Sequence, residues 1–192
     1  MKKELLYMLG LGVVLLGACD TIDQQKEKDM AVSSVGSSTD NAKKSEKFVK
    51  DAYRNNLKLI EIGKLGQKNA SGAEVKAFAD KLVEHHTRMN EELLEIAGDL
   101  SIEQPKGSER KIPDIGALEK EKAGNKFDKH FLKMTAKRHK KDLNLYENAG
   151  EELEQEQLRN YAISNIPAIQ EHLDQAESLE ASVKSDSDDA NM

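Results

Sequence analysis

The chain has 192 residues, of which 33% are charged and only 4% aromatic, with no tryptophan and a formal net charge of −6. A composition rich in lysine, glutamate, leucine and alanine favours helices and argues against a β-sandwich, whose strands need β-branched and aromatic side chains. Lysine and glutamate are interspersed rather than grouped in blocks, so nothing indicates nucleic-acid binding. We therefore expect one all-α domain.

The first residues have the pattern of a bacterial lipoprotein signal. Lys2 and Lys3 precede a short apolar run that ends in Leu-Gly-Ala followed by Cys19. A basic start, a short apolar segment and small residues before a cleavage point are typical of secretory signals, and the run is shorter than the ~20 residues that span a bilayer. Because Leu-Gly-Ala-Cys resembles a lipobox, we expect residues 1–18 to be a signal peptide. The alternative is a buried N-terminal helix with an incidental cysteine.

Cys19 is the only cysteine, which excludes an intrachain disulfide and a thiolate metal site. Several acyl chains on this residue would anchor the protein stably, whereas a single chain binds a membrane only marginally. Asp20 resembles the inner-membrane retention signal of enterobacterial lipoproteins, but other phyla follow different rules. We expect a lipid-anchored protein of the bacterial cell envelope with its domain outside the cytoplasm, and we favour the outer membrane over the inner.

The mature chain begins with a polar segment and a helical hairpin. Residues 19–44 have no apolar periodicity, so we interpret them as a flexible tether. Helix 1 is expected over Ser45–Asn69, with Ser45 as its N-cap. Helix 2 is expected over Ala73–Asp99, and the short connection between the two predicts an antiparallel pair.

The second half of the chain follows a long, proline-containing connection. Three further helical segments are expected there, at Ala117–Ala123, Lys126–Ala149 and Glu152–Val183. Gly150 is the expected C′ residue of the second of these, and Pro167 should bend or divide the third. Residues 184–192 read as a disordered acidic tail. Four long amphipathic helices with two short loops predict an antiparallel four-helix bundle over residues 45–183.

Each long helix carries one ionisable residue on or beside its apolar stripe. In helix 2, His86 lies four residues after Leu82 and three before Met89, where the helical period calls for an apolar side chain. A buried charge or unpaired imidazole is costly unless it is paired or bound to a metal, and bundle cores are where such ligands converge. These residues form a candidate site for a divalent transition metal: Glu61, His86, His139 and His172.

The alternative is that the histidines are hydrogen-bonded core residues, since histidine is intermediate in its preference for burial. Counted from the loops at ~1.5 Å per residue, Glu61, His86 and His139 fall within about 7.5 Å of one another in depth. His172 lies about 13 Å above His139 by the same count and is the weakest candidate.

Other chemistry is poorly supported. No glutamate is followed by histidine three residues later, so the ferritin-type di-iron pattern is missing. Phosphate-loop and nucleophile-elbow motifs are also lacking. Asp142, three residues after His139, either orients that imidazole or forms a solvated pair with it. His85 and His130 lie off the stripes and are expected to be in solvent.

Residues of both hairpins resemble a bacterial envelope family with a ferritin-like fold, known as domain of unknown function 4142. The resemblance covers about residues 46–181 and is carried by E-I-G-K-L at 61–65, V-K-A-F-A at 75–79, H-T-x-x-N-E-E-L at 86–93, F-D at 127–128, H-K-K at 139–141, L-Y-E at 145–147, Pro167 and H-L at 172–173. The family's recurring aspartate before the histidine of helix 2 is His85 here, which weakens any Asp-His ligand pair. The resemblance implies an exported, often lipid-anchored bundle without an agreed activity.

The leading functional hypothesis is metal binding or metal-linked protection against envelope stress. The alternative is a non-catalytic interaction module whose core histidines are structural. An enzyme is the weakest of the three interpretations. The only partner that the sequence indicates is the membrane, through the lipid anchor.

Overall fold

The structure, a computed structural model, describes the backbone of residues 21–106 and 115–189 and the side chains of residues 39–106 and 115–183. The regular elements of this part of the chain are all helices: α1 (Thr21–Asn69), α2 (Ala73–Asp99), α3 (Gly116–Glu119), α4 (Asn125–Glu152) and α5 (Glu156–Asp189). The predicted signal peptide and Cys19 lie outside the described residues. Among the helices described, none has the length and apolar character needed to cross a membrane.

The described residues divide into two units, which lie within residues 1–39 and residues 40–192. The described part of the first unit is helical from Thr21 onwards, and its role as a flexible tether over residues 19–44 stays a prediction. Ser45, the expected N-cap, is instead buried inside α1, where its hydroxyl donates to the Gln155 side chain.

The core of the second unit consists of two apolar clusters, each with side chains from all four long helices. Along α2, residues 75–82 belong to one cluster and residues 89–97 to the other. The gap between the clusters holds buried polar side chains. Four of these contact one another and are called the polar layer here: Asn56, His86, His139 and His172.

Two glycines allow α1 to approach α2 closely. A Cβ atom on Gly63 would lie 2.7 Å from Val83 Cγ2, and one on Gly66 would lie 2.7 Å from Ala79 Cβ. Such distances are shorter than van der Waals contact, so a larger residue at either position would push the helices apart. The two glycines thus set the α1–α2 distance about two to three turns from Asn56.

Buried Asp128 of α4 holds the turn between α1 and α2. Its carboxylate accepts hydrogen bonds from the backbone N–H groups of Ser71 and Gly72, at 3.0 and 2.9 Å, and from the Ser71 hydroxyl at 2.6 Å. Amide groups beside a helix start are otherwise without intrahelical partners. The turn of the first hairpin is therefore fixed to the first turn of α4, and this helps to set the register between the two hairpins.

Several predicted boundaries differ from the structure. Helix α4 continues through Gly150 to Glu152, because that glycine makes room for a neighbour rather than ending the helix: its Cβ would lie 2.9 Å from Ile163 Cγ1. Pro167 lies inside α5, which remains helical on both sides of it. That helix also runs to Asp189, beyond the predicted end at Val183; disorder of the acidic tail over residues 184–192 stays a prediction.

Candidate metal centre

Three histidines meet in the polar layer, one each from α2, α4 and α5. His86, His139 and His172 are 0%, 0% and 6% exposed. A ring nitrogen of each lies within 4.8 Å of ring nitrogens of the other two. Their positions follow from the helical period, because each replaces an apolar residue in the buried stripe of its helix. Three imidazoles this close can share one metal ion.

Two of the rings face each other through the same atom. His86 Nε2 lies 3.2 Å from His139 Nε2. His139 Nδ1 lies 2.9 Å from the Thr135 carbonyl oxygen, which can only accept, so the hydrogen of this ring is on Nδ1 and Nε2 has a lone pair. His86 Nδ1 likewise donates to Asn56 Oδ1 at 3.0 Å. Both facing Nε2 atoms therefore present lone pairs.

The distance between the two Nε2 atoms fits a cation bound by both of them. With the Asn56 oxygen facing His86 Nδ1, neither Nε2 has a hydrogen to donate to the other, so the pair is repulsive without an ion between them. For metal–nitrogen bonds of ~2.0–2.1 Å, the 3.2 Å separation of the two atoms corresponds to an N–metal–N angle of about 100°. This angle is close to the tetrahedral value that zinc and related ions adopt.

His172 belongs to the same group, contrary to the depth estimate. Its ring centroid lies 5.6 Å from that of His86 and 5.3 Å from that of His139, and its Nδ1 is buried without a hydrogen-bond partner. The estimate failed because α5 begins at Glu156 and α4 ends at Glu152. Counted from these ends, His172 and His139 differ by three residues, or about 4.5 Å.

Glu61 does not join the histidines. Its side chain is 29% exposed, and its Oε1 lies 2.7 Å from Lys64 Nζ on the surface of α1. The stripe of Leu57, Glu61 and Leu65 is only half-buried, so it runs along the flank of the helix rather than its inner face.

Asn56 is the residue that α1 contributes to the polar layer, and it was not among the predicted site residues. It is 1% exposed, and its Nδ2 donates to Asn90 Oδ1 at 3.0 Å. The signal was present, because Asn56 shares a buried stripe with Ala52 and Gly63. Small residues conceal such a stripe from a search for large apolar side chains.

His85 was expected in solvent but lies beside the cluster. Its ring centroid is 4.9 Å from that of His172 and 5.7 Å from that of His86, and its Nδ1 is buried without a hydrogen-bond partner. His130 is half-buried and lies apart from the other histidines, with Nδ1 2.9 Å from Glu121 Oε2.

Burial keeps the clustered imidazoles neutral. It lowers the pKa of His86 well below 6.5, and the neighbouring His139 and His172 lower it further. Burial also lowers the pKa of His139 to about 4 and that of His172 to about 3. Neutral imidazole is the form that binds metals. The cluster is therefore in its ligand form at neutral pH.

Asp142 has neither of the two roles considered for it. The Thr135 carbonyl, not this carboxylate, orients His139, and Asp142 is only 2% exposed, which excludes a solvated pair. Its Oδ1 accepts from Asn55 Nδ2 at 2.7 Å, while its Oδ2 is buried without a partner. Burial raises the pKa of this carboxyl to about 7.

Four long helices around a buried three-histidine cluster define the class: a helical-bundle protein with a candidate metal centre. The chain belongs to the family described as Domain of unknown function (DUF4142), whose sequence model matches residues 30–179. Comparison with curated protein sequences gives no significant match.

A solved structure has a similar fold. The chain is similar to CopM in the Cu(II)-bound form, with a TM-score of 0.59 and 14% sequence identity, over 72% of this chain and 96% of that chain. Since the sequences are so different, the likeness concerns the fold alone.

Proposed function

We propose that this protein binds one transition-metal ion through His86, His139 and His172. The observation that carries this proposal is the pair of Nε2 atoms 3.2 Å apart, each with its hydrogen held on the other ring nitrogen. A ring nitrogen of His172 lies within 4.8 Å of ring nitrogens of the other two histidines, and the buried Nδ1 of His172 has no hydrogen-bond partner. A single cation would satisfy all three rings.

Copper is the metal that we propose first. Imidazole suits copper, zinc, iron and nickel, and among divalent first-row ions a given nitrogen site has its highest affinity for Cu²⁺. The Cu(II)-bound state of the structurally similar CopM supports the same choice. Three protein ligands leave a coordination position for water or another ligand, as in open zinc sites.

The proposal also includes where the ion is bound. With Cys19 acylated, the bundle would be a lipid-anchored, ferritin-like four-helix bundle of the cell envelope, on the outer membrane in preference to the inner. There it would sequester or buffer copper outside the cytoplasm and so protect the envelope from metal stress. In this proposal the residues of the polar layer bind the metal ion and have no catalytic role.

The alternative function is an interaction module in which the histidines are only structural. A different arrangement of hydrogen bonds around His86 favours it. If the amides of Asn56 and Asn90 both rotate by 180°, Asn56 Nδ2 donates to His86 Nδ1 and Asn90 Nδ2 donates to Asn56 Oδ1. The His86 hydrogen then moves to Nε2. That Nε2–H then donates to His139 Nε2 across the observed 3.2 Å. The pair would be satisfied without a metal, so binding itself must be measured.

The experiment uses the full chain purified without a histidine tag. We expect one Cu²⁺ per chain in competition with a chelator of known affinity, and nitrogen hyperfine coupling from imidazole in the EPR spectrum. The His86→Leu and His139→Leu variants should lose this ion, and His130→Leu is the matched control because His130 lies outside the cluster. Circular dichroism checks that each variant is folded. Absence of a tightly bound ion in the wild type, or its retention in both cluster variants, would overturn the proposal.

A further inference from the structure

A surface pocket between α2 and α5 leads to the histidine cluster. Its volume is about 260 Å³, and His172, a member of the buried cluster, forms part of its lining. Since a water molecule occupies ~30 Å³, the pocket can hold an ion together with its hydration shell. The buried site therefore has a polar opening on one side of the bundle.

The mouth of this pocket has balanced charges. Glu84 and Glu171 supply one carboxylate from each helix, and Lys81 and Arg88 supply two cations. Arg88 Nη1 lies 3.8 Å from Glu84 Oε1, and Lys81 Nζ lies 3.5 Å from the Gln175 side-chain oxygen. Both exposed carboxylates can attract a cation. Glu84 forms an ion pair with Arg88, whereas the contacts that the structure describes include no ion pair of Glu171.

His85 lies between the mouth of the pocket and the cluster. It lines the pocket, and its ring centroid is 4.9 Å from that of His172. Its Nδ1 is shielded from water but has no hydrogen-bond partner. An unsatisfied buried nitrogen costs free energy, and this atom is of the type that binds transition metals.

We propose that this pocket is the route by which the metal ion enters and leaves, and that His85 is the ligand that passes the ion to His172. The inference rests on the proposed metal-binding function. Along this route the ion exchanges its waters for imidazole nitrogens one at a time, so it always keeps a ligand. Glu171 attracts the hydrated ion to the mouth.

The rates of loading and release test this role. With Cu²⁺ as the probe, association is followed by the loss of a chromogenic chelator–copper band, and dissociation by transfer to excess chelator. His85→Leu should slow both rates by about tenfold or more, within the range over which rates vary among variants of one site, and leave stoichiometry and affinity unchanged. The affinity for Cu²⁺ should be unchanged because a residue that binds the ion only during transfer stabilises neither the free ion nor the ion bound in the cluster.

Three further variants keep the result interpretable. His85→Asp replaces the imidazole with another metal ligand and should restore much of the rate that His85→Leu loses, whereas a packing role would not be restored. His130→Leu is the control for loss of a histidine elsewhere. Glu171→Gln should slow association more than dissociation, and the effect should shrink as salt is added.

The outcomes separate the two proposals. If the wild type binds no copper, the metal-binding function fails, and this inference fails with it. If the wild type binds copper but His85→Leu loads and releases it at wild-type rates, only the entry route is wrong. If His85→Leu instead lowers the affinity with unchanged association, His85 is a permanent fourth ligand, and its role as a relay is wrong.

Discussion

At the scale of single residues, metal binding by the site depends on which ring nitrogen of His86 and of His139 carries the hydrogen. For His139 the choice is fixed by a backbone carbonyl, which cannot reverse its role. For His86 it depends on the amide of Asn56, whose oxygen and nitrogen can exchange places. Asn56 therefore controls whether His86 Nε2 is free for a metal.

Substitution of Asn56 should change metal affinity without removing a ligand. A carboxylate can only accept from His86 Nδ1 when ionised, so Asn56→Asp should tighten Cu²⁺ binding. Asn56→Leu should weaken it by about 10–100-fold, the usual cost of losing a partner that orients a metal-bound histidine. Chelator competition measures both affinities. Equal affinities in Asn56→Asp and Asn56→Leu would contradict the role given to this amide.

The neutral histidines should make the metal-free protein sensitive to acid. The pKa of His139 falls from 6.5 to about 4 and that of His172 to about 3 on folding. Between pH 6.5 and 4 the unfolded chain therefore binds more protons at these residues than the folded chain does, and stability decreases as the pH falls. Urea unfolding at a series of pH values measures this. The measurement is made on Asp142→Asn, because the buried Asp142 carboxyl titrates with the opposite sign over the same range. In that variant, a stability that stays level from pH 7 to pH 4 would show that the imidazoles are not held neutral.

Asp142 should contribute with the opposite sign. Burial raises the pKa of its carboxyl from 3.8 to about 7, so the folded chain binds the extra proton and ionisation destabilises it as the pH rises. Asp142→Asn removes this cost and should raise the free energy of unfolding at pH 8, with little effect near pH 4. An equal effect at both pH values would point to packing instead of charge.

At the scale of helices, the sequence predicted α2 with its correct ends, Ala73–Asp99, because the apolar period is strong and a glycine precedes it. The predicted helix end was wrong at Gly150, where the absence of a side chain is needed for packing. Gly150 fits a helix end by composition, but its lack of a side chain accommodates Ile163. The helix ends that followed from this reading displaced His172 by more than a turn. Glu61 replaced Asn56 in the predicted site for a separate reason: the buried stripe of α1 passes through the small residues Ala52 and Gly63.

The close contact of α1 with its neighbours should be sensitive to one methyl group. A Cβ on Gly66 would lie 2.7 Å from both Ala79 Cβ and Phe131 Cε2, so we expect Gly66→Ala to lower the free energy of unfolding by about 1–3 kcal/mol through overpacking. Gly98→Ala is the matched control in α2, where the nearest atom would be Gln104 Nε2 at 3.6 Å. There the higher helix propensity of alanine should stabilise by about 0.5–1 kcal/mol. Denaturant unfolding compares the two, and equal effects would refute the packing argument.

At the scale of the whole molecule, class and family could be predicted because they depend on many residues at once. Helical periodicity over four long segments survives errors at individual ends, and the family match covers residues 30–179. The polar layer depends on three-way contacts between helices, which no single helix encodes. The sequence could therefore indicate that histidines are buried, but not that His85 would stand beside the cluster.

The lipid anchor remains a prediction from sequence alone. If Cys19 is acylated, Cys19→Ser should release the protein from the membrane fraction of bacterial cells and abolish labelling with a radioactive or clickable fatty acid. We expect no change in copper stoichiometry, because the cysteine precedes the unit that contains the histidines. Continued membrane association without the label would indicate a different mode of attachment.

A metal ion in the polar layer would hold together three helices at the level where the two apolar clusters are separate. Without it, this layer contains lone pairs and unsatisfied nitrogen atoms, so it should be the weakest level of the core. An ion that binds only the folded chain stabilises it by about 2.7 kcal/mol when its free concentration is 100 times the dissociation constant. We therefore expect Cu²⁺ to raise the thermal unfolding midpoint of the wild type in a concentration-dependent way and to leave that of His139→Leu unchanged. A similar rise in both proteins would mean that copper binds outside the cluster, for instance at His130. Metal-free His139→Leu should itself lose part of the acid sensitivity of the wild type, because one of the buried imidazoles is replaced by an apolar side chain.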